Sequence, residues 1–473
     1  MARPKFVQIP SHSLERFEPL LGKDFSVVQE VAKACRRRYE SRAIWHVSST
    51  LRGGGVAEML RSLLPYVRGA GVDTRWVVLR ERAEFFALTK RIHNNLHGDP
   101  GDGGDLGSAE RRLYEHSLAT SARHFSSLLQ PRDVVFLHDP QTAGLAAQAK
   151  AAGATVVWRC HIGTDEPNEL ALSAQDFLRP YVRDADACVF SRRQYHWQGV
   201  DHGRAWTMAP SIDPFSPKNQ ELDAGAVEAI LGAIGLGARS ALTAPTFTRA
   251  DGTPGRVERS AEVIQEEPLP SDVPVVVQVS RWDRLKDHRG LLTCFERHLG
   301  DQGPRLLLAG PSTNAIADDP EGAAVWADVR SAWRQLPNRI RRRVHLASLP
   351  MDDLDENGAM VNALQRRADI VVQKSIAEGF GLTVAEAMWK GKPVIGARVG
   401  GIQDQIVDGV SGALVDPKNL EAVAAAITAI GADPGAAAVL GERAHERVSE
   451  HFLGPVRLAA YAEKLAELEG TVW

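Results

Sequence analysis

The feature that most constrains this chain is a rhythm that occurs twice. Short apolar runs at 43–47, 74–79, 133–137, 155–158 and 187–190 alternate with longer amphipathic stretches. After a break the alternation resumes at 273–279, 305–309, 344–346, 370–373 and 393–395. Strands alternating with helices predict parallel sheets joined by crossover helices, so the chain is expected to be α/β with two doubly wound halves. Its 473 residues also exceed what one hydrophobic core organises. We expect a Rossmann-like domain over 1–212, a second over 213–451 and a terminal helical segment over 452–473. Apolar residues of 456–469 recur at helical spacing. That pattern suits a helix crossing back onto the first domain and one packing within the second equally well.

Two stretches break the rhythm. Residues 235–274 carry Thr248-Arg249-Ala250-Asp251-Gly252-Thr253-Pro254-Gly255 and Glu266-Glu267-Pro268-Leu269-Pro270, turn formers that predict a loop insertion near the junction of the halves. Gly98-Asp99-Pro100-Gly101-Asp102-Gly103-Gly104-Asp105 reads as a mobile surface loop.

Composition narrows the function classes. A formal net charge of -3, from 56 basic and 59 acidic residues, supplies no general attraction to nucleic acid or an anionic membrane. Cys35, Cys160, Cys188 and Cys294 form no C-x-x-C pair, which argues against a disulfide framework or a thiolate zinc site. The N-terminal residues lack a signal-peptide core, and nowhere do about eighteen apolar residues run together. The expectation is a cytoplasmic protein with no metal site.

The residues with the most chemical content lie in the second half. Glu378-Gly379-Phe380-Gly381-Leu382-Thr383-Val384-Ala385-Glu386 follows the run ending at Gln373 and reads as strand, loop, helix start. Gly379 and Gly381 let backbone amides approach an anion, and a helix beginning near Leu382 points its positive end at the same spot. Glycines before a helix are also what any tight turn requires. The second basic motif shifts the balance: Arg281 and Lys286, in Ser280-Arg281-Trp282-Asp283-Arg284-Leu285-Lys286, come directly after the run ending at Val279. Ligands of open α/β sheets bind at that carboxyl edge. A departing diphosphate gains negative charge, so two fixed cations there favour the transition state over the ground state.

In the first half, Gly53-Gly54-Gly55 follows the run at 43–47 and precedes a helical pattern, so backbone can approach a sugar phosphate there too. The G-x-G-x-x-G spacing is absent, and Leu79-Arg80 stands where a dinucleotide binder carries an acid, which disfavours a nicotinamide enzyme. His138-Asp139 and His161 fall at strand ends. An isolated histidine is more often structural than catalytic, yet two at equivalent edges of one sheet fit a sugar pocket. Asp139 could orient an acceptor hydroxyl, and His161 could hydrogen-bond a donor-sugar hydroxyl.

Arg281 and Lys286 five positions apart, with Glu378 and Glu386 eight apart, resemble the donor site of retaining GT-B glycosyltransferases of family four. More narrowly, Trp45-His46-Val47-Ser48-Ser49-Thr50, Lys90-Arg91-Ile92-His93-Asn94-Asn95-Leu96, His138-Asp139-Pro140-Gln141, Trp158-Arg159-Cys160-His161, Pro210-Ser211-Ile212-Asp213-Pro214 and Glu386-Ala387-Met388-Trp389-Lys390-Gly391 are similar to the trehalose-forming group. The resemblance covers most of the chain. It implies two Rossmann-like domains facing an interdomain cleft that closes on its ligands. The activity it implies is reversible transfer of glucose from ADP-glucose or UDP-glucose, as co-substrate, to free glucose, giving α,α-trehalose. It also implies residue roles: Arg281 and Lys286 on the diphosphate, Glu386 on the ribose, Glu378 on the donor glucose, His161 beside that sugar and Asp139 beside the acceptor. Gly54, Gly55, Gly379, Phe380, Gly381, Leu382 and Thr383 would line the phosphates. The retaining course would be a front-side, ion-pair-like substitution in which the leaving phosphate oxygen takes the acceptor proton. No tightly bound cofactor is implied, and a homodimer is what the group suggests. The alternatives are a retaining trehalose phosphorylase, a family-four transferase with another sugar acceptor, and a non-catalytic sugar-nucleotide sensor.

Overall fold

The computed structural model describes residues 4–51, 55–238, 243–300, 303–313 and 321–470. The chain divides into two compact units, Met1–Ser211 together with Gly454–Trp473, and Ile212–Leu453.

Among the described residues the first unit holds a seven-stranded sheet in the order β1 (Lys5–Val7), β3 (Thr74–Val78), β2 (Ile44–Ser48), β4 (Val134–His138), β5 (Thr155–Cys160), β6 (Ala187–Phe190), β7 (Ala205–Thr207). β1 runs antiparallel to β3 and every other pairing is parallel. The central strands are apolar because helices cover both faces. Successive side chains alternate between those faces. Trp45, Val47, Leu137 and Trp158 join a core with Phe85, Ile92, Tyr114 and Phe177. Ile44, Phe136, Val157 and Val189 join the opposite core, with Tyr39, Trp206 and Leu465. Leu465 belongs to the helix Gly454–Leu468, which lays Tyr461 edge-on against Phe136 at 5.7 Å. Just beyond it Glu469 pairs with Arg38 and Arg42. Buried Asp133 stitches the foot of the sheet, accepting from the Ala43 and Gln130 amides and the Trp45 indole at 2.9, 3.0 and 2.9 Å.

The second unit repeats the plan with different crossovers. Its seven-stranded sheet runs β10 (Glu262–Ile264), β13 (Val344–Leu349), β12 (Arg305–Pro311), β11 (Val275–Val279), β14 (Ile370–Gln373), β15 (Val394–Ala397), β16 (Ala413–Val415). Only β10 is antiparallel. Val276, Leu306, Leu308, Val372 and Ile395 form its core with Phe295, Trp282, Trp326 and Trp333.

One expectation needs correcting. The stretch 235–274 is not a loop insertion: β8 (Thr246–Thr248) and β9 (Pro254–Arg256) form a hairpin, and β10 extends the sheet edge. Three-residue strands carry no readable periodicity and owe their place to pairing. The glycine-rich stretch from Gly98 is a surface loop, as expected, and side chains brace it at two points. Asp102 holds Arg91 at 2.6 and 2.9 Å, and Asn168 donates to the Gly98 carbonyl at 2.9 Å.

Each sheet has one place where the strand order reverses direction. In the first unit it lies between β2 and β4, in the second between β11 and β14. The connections leaving those strands diverge to opposite faces and open a crevice at the carboxyl ends. The residues that follow β2, β4, β11 and β14 are therefore the ones to inspect.

Candidate active site

In the second unit the segment after β11 is built to hold two cations in place. Trp282 is buried, donates to the Pro311 carbonyl at 2.9 Å and lies against Trp326 at 4.4 Å. It anchors the turn between Arg281 and Lys286. Asp283 accepts from the Leu285 amide at 2.8 Å and lies 3.5 Å from the Arg281 guanidinium. Lys286 ends the short turn Arg284–Lys286. Asp287 then adopts a left-handed conformation, φ 50°, and caps the helix His288–His298 through the Gly290 amide at 3.0 Å.

The segment after β14 meets it across the reversal point. Lys286 donates to Glu378 Oε2 at 2.5 Å, and the Ser375 hydroxyl donates to the same oxygen at 3.0 Å. One residue along, buried Lys374 pairs with Asp287, so two ion pairs of reversed order bridge the segments. Fully buried Gln278 joins them again, donating to the Lys286 carbonyl at 2.9 Å and accepting from the Lys374 amide at 3.3 Å. The Ile376 amide donates to the Leu285 carbonyl at 2.7 Å.

Gly379, Phe380 and Gly381 lead into the helix Leu382–Trp389. Gly381 stands at φ 85°, a conformation that favours glycine, and no side chain caps the helix there. The Val384 amide donates to the Gly381 carbonyl at 2.9 Å, and a helix start without a side-chain cap is a place where an anion can bind. Phe380 turns its ring inward against Phe452 at 5.7 Å, leaving only its backbone on the loop. Thr383 donates to the Gln373 side chain at 3.2 Å. A Cβ on Gly401 would stand 2.6 Å from Phe380 Cα and 2.8 Å from the Gly379 carbonyl, so that glycine sets the loop's height. Glu386 lies one turn into the helix, buried, with its carboxylate 3.2 Å from Lys218. Lys390, beneath it, donates to Asn219 at 2.9 Å; burial pushes its pKa well down, against the pull of Glu386.

In the first unit Asp139 and His161 are brought together. Asp139, at φ 63°, accepts from the His161 amide at 2.7 Å, and its own amide donates to the Arg159 carbonyl at 2.8 Å. His161 is also the end of a row. His46 Nδ1 lies 3.1 Å from His138 Nε2, and His138 Nδ1 lies 3.1 Å from His161 Nε2. Adjacent rings stack at 5.4 Å, and His46 lies flat on Phe136 at 4.9 Å. The register explains the row: His46 pairs with Phe136 and His138 with Arg159. Each step moves one strand over and two residues on, and so stays on one face. Burial lowers His46 to about 3 and His138 and His161 well below the usual imidazole range; the Arg159 charge adds to this. Burial also lowers Arg159, to about 9, which leaves it cationic at neutral pH.

Arg281, Lys286, Glu378, Gly379, Phe380, Gly381, Leu382, Thr383 and Glu386 thus gather in the second unit, Asp139 and His161 in the first. Gly55 opens the helix Gly55–Gly69 after β2. Gly53 and Gly54 lie outside the described residues. Sequence reasoning missed Lys374, Asp287, Gln278 and Lys218, and it did not join His46 and Arg159 to His161. Lys374 had one usable signal, a charged residue directly after a strand bordering the reversal point. Among the described residues no cluster of three or more His, Cys, Asp or Glu side chains is placed to hold a metal ion, and no single helix is long and apolar enough to cross a membrane.

The whole arrangement resembles solved structures of low identity. An α,α-trehalose 6-phosphate synthase from Burkholderia multivorans aligns with TM-score 0.66 and 16% identity over 91% of this chain and 97% of that one. An Anabaena protein solved in complex with UDP-glucose aligns with TM-score 0.57 and 16% identity over 90% of this chain and 99% of that one. Two Rossmann-like sheets of this kind, one carrying a cationic pair and a glycine turn at its reversal point, define the GT-B fold.

Sequence narrows the class further. The family model described as trehalose synthase, N-terminal domain, matches residues 46–197, and that for glycosyl transferases group 1 matches residues 355–447. A trehalose synthase of Rubrobacter xylanophilus is 33% identical over 467 residues, 98% of each chain. The chain belongs to the trehalose synthase family, within the GT-B glycosyltransferases of family four. A trehalose phosphorylase of Pleurotus sajor-caju is 26% identical over 401 residues, 80% of this chain and 51% of that one. The protein is a trehalose-related hexosyltransferase.

Proposed function

We propose that the chain transfers glucose from ADP-glucose or UDP-glucose to the anomeric hydroxyl of free glucose, with retention, giving α,α-trehalose, and that the reaction is reversible. One observation carries the reading: Arg281 and Lys286 follow the carboxyl end of β11, and Lys286 meets Glu378, which leads into the glycine turn and the helix after β14 that no side chain caps. That combination suits a diphosphate and the charge it gains as a leaving group. The Rubrobacter relative's name and the UDP-glucose in the Anabaena structure support the same donor class.

In this reading the diphosphate displaces Glu378 from Lys286, and the released carboxylate takes hydroxyls of the donor glucose. Glu386 takes the ribose hydroxyls, sharing them with Lys218. Gly55 lets backbone approach a phosphorylated group in the first unit. His161 meets a hydroxyl of the donor sugar and Asp139 orients the acceptor. The bond from C1 to the phosphate oxygen breaks as the acceptor oxygen bonds C1 on the same face, and the acceptor proton passes to the departing phosphate oxygen. Neutral imidazoles at His161 and its neighbours suit a hydrogen-bonding role and not a proton reservoir.

The test is a donor-by-acceptor matrix with labelled ADP-glucose and UDP-glucose against common sugars and inorganic phosphate. Labelled trehalose from either nucleotide and glucose is expected; no disaccharide in any well removes the proposal. The Pleurotus match keeps a phosphorylase as second reading. Phosphate-dependent release of glucose 1-phosphate from trehalose, indifferent to nucleotide, would establish that one instead.

A further inference from the structure

The row of histidines takes a direction from the shorter of two contacts that Arg159 makes with its last ring. Arg159 Nε is a permanent donor and lies 3.1 Å from His161 Nε2 and 3.4 Å from His161 Nδ1, and the shorter contact makes Nε2 the acceptor. A neutral His161 then carries its proton on Nδ1. His138 Nδ1, 3.1 Å from the same accepting nitrogen, must donate, which leaves His138 Nε2 as an acceptor. His46 Nδ1, 3.1 Å from it, must donate in turn. Followed from the shorter Arg159 contact, the row consists of three Nδ1–H tautomers, an assignment that rests on that contact. The central ring, His138, is 2% exposed, while the outer two are partly exposed. The charged and titratable groups around the row are Arg159, Asp139, Cys160 and Arg457, with Tyr461 of the last helix stacked at 5.4 Å on the Arg159 guanidinium.

We propose that His46 and His138 are positioning residues of the transfer reaction: together with Arg159 they hold His161 in one ring orientation and one tautomer, with its Nδ1–H available to an oxygen of the donor sugar. The proposal rests on the reading that His161 meets that sugar. A ring free to exchange tautomers would offer a donor only part of the time. A ring fixed from behind offers it always, the logic by which outer hydrogen bonds orient a working imidazole. The His46 ring is fixed in its turn by the flat face of Phe136.

The experiment uses the full chain with 15N-labelled histidine, read by long-range nitrogen–proton correlation, alongside turnover of labelled ADP-glucose or UDP-glucose with glucose. In the wild type, His161 should be protonated at Nδ1 and bare at Nε2. His138→Gln keeps an acceptor towards His46 but loses the donor towards His161. It should mix the His161 tautomers and lower kcat about ten-fold, as loss of an outer orienting partner does, with donor KM little changed. His138→Asn keeps a donor at the Nδ1 position and should restore most of the rate. A wild-type His161 protonated at Nε2 overturns the proposal, as do His138→Gln and His138→Asn variants with equal rates. If neither variant folds, the wild-type tautomer decides alone. His161→Ala separates the two claims: wild-type turnover by that variant removes the sugar contact itself, whereas a slow His161→Ala beside a fast His138→Gln removes only the positioning.

Discussion

Lys286 and Glu378 neutralise one another at 2.5 Å across the point where the second sheet reverses its strand order. Neither is idle before a ligand arrives, and in the proposed reaction a diphosphate has to compete with a carboxylate for the same ammonium. Removing one partner of such a pair affects stability as well as chemistry, because the other is left half-buried without its counter-charge.

Lys286→Ala should therefore cost about 2 to 4 kcal/mol of transition-state stabilisation, by analogy with loss of one donor to a developing oxyanion. Steady-state kcat/KM with either nucleotide-glucose reads this. The double variant Lys286→Ala, Glu378→Ala should be more heat-stable than Lys286→Ala alone, since it also removes the carboxylate that has lost the Lys286 ammonium.

Gly401→Ala adds a methyl group where the Phe380 Cα and Gly379 carbonyl leave no room. The backbone of the glycine turn has to shift to make room for it. We expect the donor KM to rise and the acceptor KM to stay. Equal changes in both would mean that the turn does not hold the donor.

Lys218→Met removes the cation beside buried Glu386. A destabilisation of about 3 to 5 kcal/mol is expected for one partner of a buried pair, visible as an earlier denaturant midpoint. Lys218→Met combined with Glu386→Gln should recover part of that stability, though not the affinity for nucleotide.

The histidine row gives the first unit an acid-sensitive term. Its folded-state pKa values lie below the unfolded value of about 6.5, with His46 at about 3. Between those values the unfolded chain binds more protons. Stability is thus fully present above about pH 6.5 and declines towards pH 3, by about 1.4 kcal/mol per pH unit for each imidazole. His138→Asn should show a shallower loss of denaturant midpoint between pH 7 and pH 5 than the wild type. Glu469 behaves in the same sense at lower pH. Burial would raise its pKa, but Arg42 and Arg38 outweigh burial and hold it below the usual carboxylate value. Its contribution is present above about pH 4.3 and lost as pH falls through the folded value. The melting-temperature gap between wild type and Glu469→Gln should accordingly be constant from pH 5 to 8 and close in stronger acid.

What the sequence revealed follows physical range. The runs at 187–190 and 370–373 coincide with β6 and β14, because strands buried on both faces are written as unbroken apolar residues. The edge strands β1, β7, β10 and β16 went unseen; each has three residues and is positioned by its neighbour. Arg281 and Lys286 were legible because their spacing sits within one loop. Lys374 and Asp287 are 87 positions apart, and His46 and His138 are 92 apart. No local pattern predicts such meetings, since they depend on strand order and register.

The central claim is that Arg281 and Lys286 recognise a pyrophosphate group. Calorimetric titration of wild type, Arg281→Ala and Lys286→Ala with UDP against UMP, and ADP against AMP, tests it most directly. We predict that the wild type prefers the diphosphate by at least about ten-fold, the 1.4 kcal/mol expected of one charge-assisted contact, and that either variant loses most of this preference. An undiminished preference in both variants would contradict the account.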